Sequence, residues 1–126
     1  MKRVTGIGGI FFKAKDPKAL NAWYRDHLGL DVSPWGGAVF AWGGANSPAG
    51  MTLWTPFAES SNKMDPGNAR FMVNFRVDDL LALLDALKRE GCQLVGEPEI
   101  SEYGKFGWVL DPEGNKIELW EPPAGQ

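Results

Sequence analysis

Cysteine is almost missing from this sequence. Cys92 stands alone, so no intrachain disulfide can form and an oxidising compartment is not implied. Histidine is equally scarce. His27 is the single copy, which excludes a two-histidine metal site within the chain and leaves a Ser/His or Cys/His triad without support. No apolar run approaches the roughly 20 residues that span a bilayer. The opening residues, Met1 to Gly6, also lack the apolar stretch of a signal peptide. Basic residues are dispersed: 13 Lys and Arg face 16 Asp and Glu, a formal charge of -3, and no basic stripe forms for a phosphate backbone. These absences predict a cytoplasmic chain with neither a nucleic-acid nor a membrane partner.

Aromatic residues, by contrast, are plentiful. Six Trp and seven Phe in 126 residues imply either a large aromatic core or an aromatic-lined pocket. The length allows one domain, or two small modules sharing a core.

The order of elements repeats along the chain. Residues 7–15 are apolar, β-branched and aromatic, and read as a buried strand. Asp16-Pro17 predicts a helix start, with a side-chain acceptor at the cap and a ring pre-set for the first turn. Leu20, Trp23, Tyr24, His27 and Leu28 follow at three-and-four spacing, the pattern of one helical face, with His27 read as a helix-surface or groove residue, and Gly29 suits the left-handed turn that ends it. Short strands are expected at 30–32, 38–42 and 51–57, separated by turns containing Gly and Pro.

The second half follows the same plan. A strand at 71–77 leads to a helix capped by Asp78 or Asp79, with Leu80, Leu83, Leu84 and Leu87 as its buried stripe and Gly91 as its stop. Strands are expected at 93–95, 105–110 and 116–120, the last two joined by the hairpin turn Asp111-Pro112-Glu113-Gly114-Asn115. Asp16 to Asp78 and Gly29 to Gly91 are both offsets of 62 residues, so cap and stop keep one spacing. The chain thus reads as one domain over 1–126, with module one at 1–57, a polar linker at 58–70 and module two at 71–121.

Paired β-α-β-β-β modules resemble the vicinal oxygen chelate superfamily, the glyoxalase/bleomycin-resistance/dioxygenase type. Three stretches carry the resemblance: residues 23–30 (WYRDHLGL), 71–78 leading into 80–91, and, most specifically, 109–120 (VLDPEGNKIELW). It implies an α+β fold whose two modules curl into half-barrels around a cleft and pair across a homodimer. It implies no single activity, because members include isomerases, dioxygenases, epimerases, thiol transferases and proteins that only sequester an antibiotic. Function has to be argued from the site.

In metal-dependent relatives, four inward-facing strand positions supply His or Glu ligands. The resemblance places these positions at Gly9, Thr52, Met72 and Glu118. Only Glu118 retains a good donor. Neither 50–54 nor 70–74 holds a His, Asp, Glu or Cys, so a shift of alignment does not restore the site. No metal and no other cofactor is expected. Gly6-Ile7-Gly8-Gly9 lacks the Lys and the preceding strand of a phosphate loop. Cys92, just after the helix stop, reads as a small packed residue, and Tyr103 as an exposed loop aromatic.

Strand alternation gives the lining of the cleft that remains. Taking Glu118 as inward brings Lys116 and Trp120 to its face, and pairing Leu110 with Lys116 sets Trp108 opposite Glu118. The other strands contribute Phe11, Thr52 and Trp54, and Met72, Asn74 and Arg76. Glu118 has two readings: a structural partner of Arg76 or Lys116, or a carboxylate that meets a cationic ligand or acts as a base. Three functions follow: metal-independent binding of an aromatic or amphipathic small molecule, for sequestration or sensing; a lyase, isomerase or dioxygenase-like enzyme using Glu118 as base or residual metal ligand; or a structural domain whose cavity is filled.

Overall fold

The computed structural model describes residues 3–43 and 50–126. Its elements are β1 (Val4–Ala14), α1 (Pro17–Leu28), β2 (Ala38–Ala41), β3 (Met51–Ala58), β4 (Phe71–Val77), α2 (Leu80–Arg89), β5 (Glu99–Ser101), β6 (Gly104–Leu110) and β7 (Lys116–Glu121). Among the described residues the seven strands form one sheet in the order β2-β3-β1-β4-β7-β6-β5, so the mixed α+β class and the two helices follow expectation. Among the described residues, no helix is long and apolar enough to cross a membrane.

The two halves meet inside one chain, where β1 lies antiparallel to β4. Each half also closes on itself through a parallel ladder, β1 with β3 and β4 with β7. Phe57 on β3 and Trp108 on β6 lie four ladders apart, yet both pack against the buried Phe11, Met64 and Met72. A flat sheet would hold them about 19 Å apart at the usual strand spacing, so the sheet curls around this cluster.

Both helices cover the opposite face. α2 buries Leu80, Leu83 and Leu84 against Val77, Val109 and Leu119, with Leu87 packed alongside, which is the stripe expected from the sequence. α1 is seated more lightly. Of its expected face, Tyr24 packs on Trp54 with ring centroids 4.7 Å apart, but Trp23 and Leu28 are exposed; His27 lies on the helix surface, as read, and the buried residue is Asn21.

The helix punctuation is largely as read. The Asp16 carboxylate accepts from the Ala19 amide, and Gly29 adopts φ 70° at the end of α1. In α2 the cap is Asp79, which accepts from the Ala82 amide. The spacing between caps is therefore one residue longer than the 62 taken with Asp78.

Two expected strands are absent. The amides of Gly29 and Leu30 are bonded to the carbonyls of Arg25 and Tyr24, so residues 30–32 wrap the end of α1 and have no ladder to join. Residues 93–95 make a single bridge, Leu94 to Val109, before Gly96 at φ 67° and Pro98 turn the chain away. The edge position goes to β5 instead, and no sequence pattern singled it out. Cys92 is exposed rather than packed, because it lies beyond the last turn of α2. The Gly- and Pro-containing turn between β2 and β3 falls mostly at 44–49, outside the described residues.

Candidate functional site

Alternation in the curled sheet decides which side chains meet. On β7, Ile117 and Leu119 pack toward α2, which turns Lys116, Glu118 and Trp120 to the concave face. The hairpin register pairs Leu110 with Lys116 and Trp108 with Glu118, as the turn sequence predicted. On β4 the buried Met72 and Asn74 point the same way, and Asn74 is in register with Glu118.

Glu118 is consequently held from both sides. Asn74 Nδ2 donates to Oε1 at 2.7 Å, and Trp108 Nε1 donates to Oε2 at 3.0 Å. Neither donor carries a charge, and the expected partners, Arg76 and Lys116, do not supply the clamp. Burial pushes the Glu118 carboxyl above the usual glutamate range. The Trp108 and Asn74 hydrogen bonds oppose that rise, as do the charges of Lys63 and Lys116. Lys116 donates to the Lys63 carbonyl at 2.9 Å and lies 5.6 Å from the centroid of the Trp108 ring. Burial draws its ammonium below the ordinary lysine range, against the opposing pull of Glu118.

The room for Asn74 comes from Gly8. The β1–β4 register slips between Ile7 and Gly9, and a Cβ on Gly8 would overlap Asn74 Oδ1. A bulge with a glycine lets the two backbones approach with the amide wedged between them. Asn74 is 3% exposed, and its Oδ1 has no donor among the described residues.

Above Glu118 lies an open cleft of about 600 Å3. Phe11, Phe57, Met72, Phe106 and Trp108 form its apolar walls; Lys63 and Lys116, Asn62, Glu97 and Glu99 are its polar groups. Phe11 stacks on Phe57 with centroids 5.2 Å apart, so the aromatic wall is continuous. The barrel is therefore not filled by its own side chains.

Four of the eight residues read from the sequence, Phe11, Met72, Trp108 and Glu118, line this cleft, and Asn74 lies beneath it. Arg76 shares the concave side but sits beyond the cleft, 5.6 Å from the Trp42 ring centroid and bonded to the Gln126 carbonyl. Thr52 and Trp54 are not in the cleft. Leu53 and Phe57 pack on the Phe11 cluster, so the odd residues of β3 face inward and the even ones away. Trp54 packs on Phe12 and Tyr24, while the Thr52 hydroxyl donates to the Ile7 carbonyl and accepts from Trp42. The alignment on β3 was thus one residue out, a slip that reverses every side chain of a strand. Phe57 belongs with the cleft by that same shift, and Lys116 by alternation from Glu118. Lys63 lies in the β3–β4 connection, where no periodicity marks it.

The residues do not fit the divalent ion that the superfamily often carries. Three of the four family positions hold Gly9, Met72 and, on the inward face of β3, Leu53, which offer hydrogen, a thioether and hydrocarbon. The fourth, Glu118, has both oxygens engaged by N–H donors. Among the described residues no three His, Cys, Asp or Glu side chains converge.

Comparison with known proteins agrees with this architecture. The glyoxalase-like domain family matches residues 9–120. No curated protein sequence matches. Among solved structures, methylmalonyl-CoA epimerase of Streptomyces coelicolor, in complex with 2-nitronate-propionyl-CoA, superposes with a TM-score of 0.71 at 16% identity, covering 96% of this chain and 99% of that one. The Mycobacterium tuberculosis methylmalonyl-CoA epimerase gives 0.66 at 22% identity over 95% and 89%. A glyoxalase/bleomycin resistance protein/dioxygenase superfamily member from Vibrio splendidus 12B01 gives 0.61 at 14% identity over 91% and 97%. At these identities the likeness is one of fold.

Proposed function

We propose, for a chain that belongs to the glyoxalase-like domain family of the vicinal oxygen chelate superfamily, metal-independent binding of a small aromatic or amphipathic molecule, for sequestration or sensing. The observation that carries this reading is the clamp on Glu118: a carboxylate held by two uncharged donors at the base of an open, aromatic-walled cleft. A cleft of this size, with an aromatic wall facing several polar and charged groups, has the character of a small-molecule site. A flat ligand stacks on Trp108 and Phe11, and its cationic or donor group meets the free lone pairs of Glu118. A filled, purely structural barrel has no support once the cleft is open.

The test is a thermal-shift and Trp-fluorescence screen of flat cationic and amphipathic compounds. A compound at 100 times its dissociation constant stabilises the fold by roughly 2.7 kcal/mol. Glu118→Gln and Trp108→Phe should both weaken each hit. Hits that bind both variants as tightly as the parent would remove the cleft as the site.

A second reading is favoured by the burial of the Glu118 carboxylate, which pushes its pKa upward. A carboxylate moved toward neutrality by burial is better matched to taking a proton from a carbon acid than an ordinary glutamate. The methylmalonyl-CoA epimerases of similar fold are enzymes. On this reading Glu118 is the base, Asn74 and Trp108 orient it, and the apolar walls exclude water.

We also propose a two-fold homodimer. Ile7, Ile10 and Phe71 are exposed on neighbouring β1 and β4, on the face turned away from the cleft. An apolar patch that size is normally covered.

A further inference from the structure

A second cavity lies outside the Glu118 cleft, bounded by α1, the loop before β2 and the end of β3. It measures about 850 Å3. Its charged side chains are Lys18, Arg25 and Lys63, and no carboxylate among the described residues lines it. That is unexpected in a chain with more acids than bases. Arg25 is bonded to Asp26 at 3.0 Å, whereas Lys18 and Lys63 have no ion-pair partner among the described residues.

One wall of this cavity is Trp35, a residue 53% exposed. The loop that carries it is fixed. The Ser33 and Gly37 backbones are bonded to each other, Gly36 bonds back to Ser33, and Asn21 Nδ2 on α1 donates to the Gly36 carbonyl at 3.0 Å. Asn21 also lines the cavity. It is 7% exposed, and its Oδ1 has no donor among the described residues. An aromatic face left open, two unpaired ammonium groups and an unspent buried acceptor together describe a ligand rather than a packing defect.

The geometry points to a second binding site here, for a planar aromatic anion: a ring stacked on Trp35 with a phosphate or carboxylate between Lys18 and Lys63. This site stands apart from the reading of Glu118, although Phe57 and Lys63 border both cavities.

Adenosine 5′-phosphate and 2-naphthoate serve as the phosphate and carboxylate probes, with uncharged adenosine as the control. The six indole N–H signals of the intact protein report where each probe binds. We expect the Trp35 signal to shift with at least one anion, the affinity to fall with added salt, and adenosine to bind about tenfold more weakly or worse, the loss expected for one charge-assisted contact. The probe that binds identifies the anion class. Lys18→Gln with Lys63→Gln should abolish the preference for anions, and Lys18→Gln alone, at a residue that borders only this cavity, should weaken it without moving the Trp108 signal. Trp35→Ala should weaken both probes. Adenosine binding as well as its phosphate, shifts at Trp108 in place of Trp35, or no shift with either anion at millimolar concentration would each overturn the proposal. Because the Glu118 cleft is read out by Trp108, failure of that site and failure of this one are separately visible.

Discussion

Trp108 and Glu118 face each other directly across the β6–β7 hairpin, and the indole N–H of one is bonded to Oε2 of the other at 3.0 Å. That bond favours the charged carboxylate while burial disfavours it, and burial is the larger effect. The balance makes the site sensitive to pH.

Glu118 should titrate above the ordinary glutamate value of about 4.5, followed by carboxyl NMR. The folded state then holds its proton more tightly than the unfolded chain. Stability from this group is present below the ordinary value and is lost as pH rises through the raised one. In urea unfolding across this range, the declining component should vanish in Glu118→Gln. Trp108→Phe removes a bond to the charged form and should raise the titration further. A midpoint at or below the ordinary value would contradict this account of the site.

Gly8→Ala should destabilise the fold by about 1–3 kcal/mol, as overpacking a tight contact does. The added methyl competes with the Asn74 amide for space. Displacing Asn74 also releases Glu118 Oε1, so the carboxyl should titrate higher in this variant. An unchanged titration with the stability loss intact would mean that Asn74 stays in place and the strand moves instead.

Trp54→Ala separates the two faces of the sheet. Trp54 packs on Tyr24 and Phe12, so its removal should cost stability, up to the roughly 3–5 kcal/mol of a large aromatic truncation. Compounds bound in the Glu118 cleft should keep their affinity in this variant. A matching fall in affinity would place the ligand on the helix side.

Metal retention is expected to stay far below one ion per chain after dialysis against zinc, nickel, manganese or iron, measured by elemental analysis. Stoichiometric metal that disappears in Glu118→Ala would show that the carboxylate can leave Asn74 and Trp108 for an ion.

Light scattering should report a dimer at micromolar concentration, and Ile10→Lys should shift it to monomer, because Ile10 lies in the exposed patch on β1. A monomeric parent would leave that patch without the partner proposed for it.

Local chemistry made much of this legible in advance. Asp16-Pro17 and Gly29 bound α1, the α2 leucines formed their stripe, and the turn at 111–115 set Trp108 against Glu118. The failures share a cause, which is tertiary context. Alternation gives the relative facing of residues within a strand but not which face is buried, so β3 was read one residue out and Thr52 and Trp54 changed sides. Residues 30–32 and 93–95 have strand-like composition, yet a strand requires a neighbour with free backbone groups. Trp23 and Leu28 sit at helical core spacing, yet the sheet beneath α1 accepts only part of that face.

The seam between β1 and β4 divides labour within the cleft. Glu118, Trp108 and Asn74 all come from the second half of the chain, while Phe11 and Phe57 reach across from the first. The groups that hold the carboxylate are therefore encoded in one half of the chain, and the wall is shared between both. Substitutions at Phe11 or Phe57 can retune which molecule fits while leaving the hydrogen bonds of the carboxylate intact, whereas a change at Gly8 reaches the carboxylate through Asn74 and a change at Trp108 alters wall and carboxylate together. Fit and chemistry can thus vary separately at some positions of the cleft and only together at others.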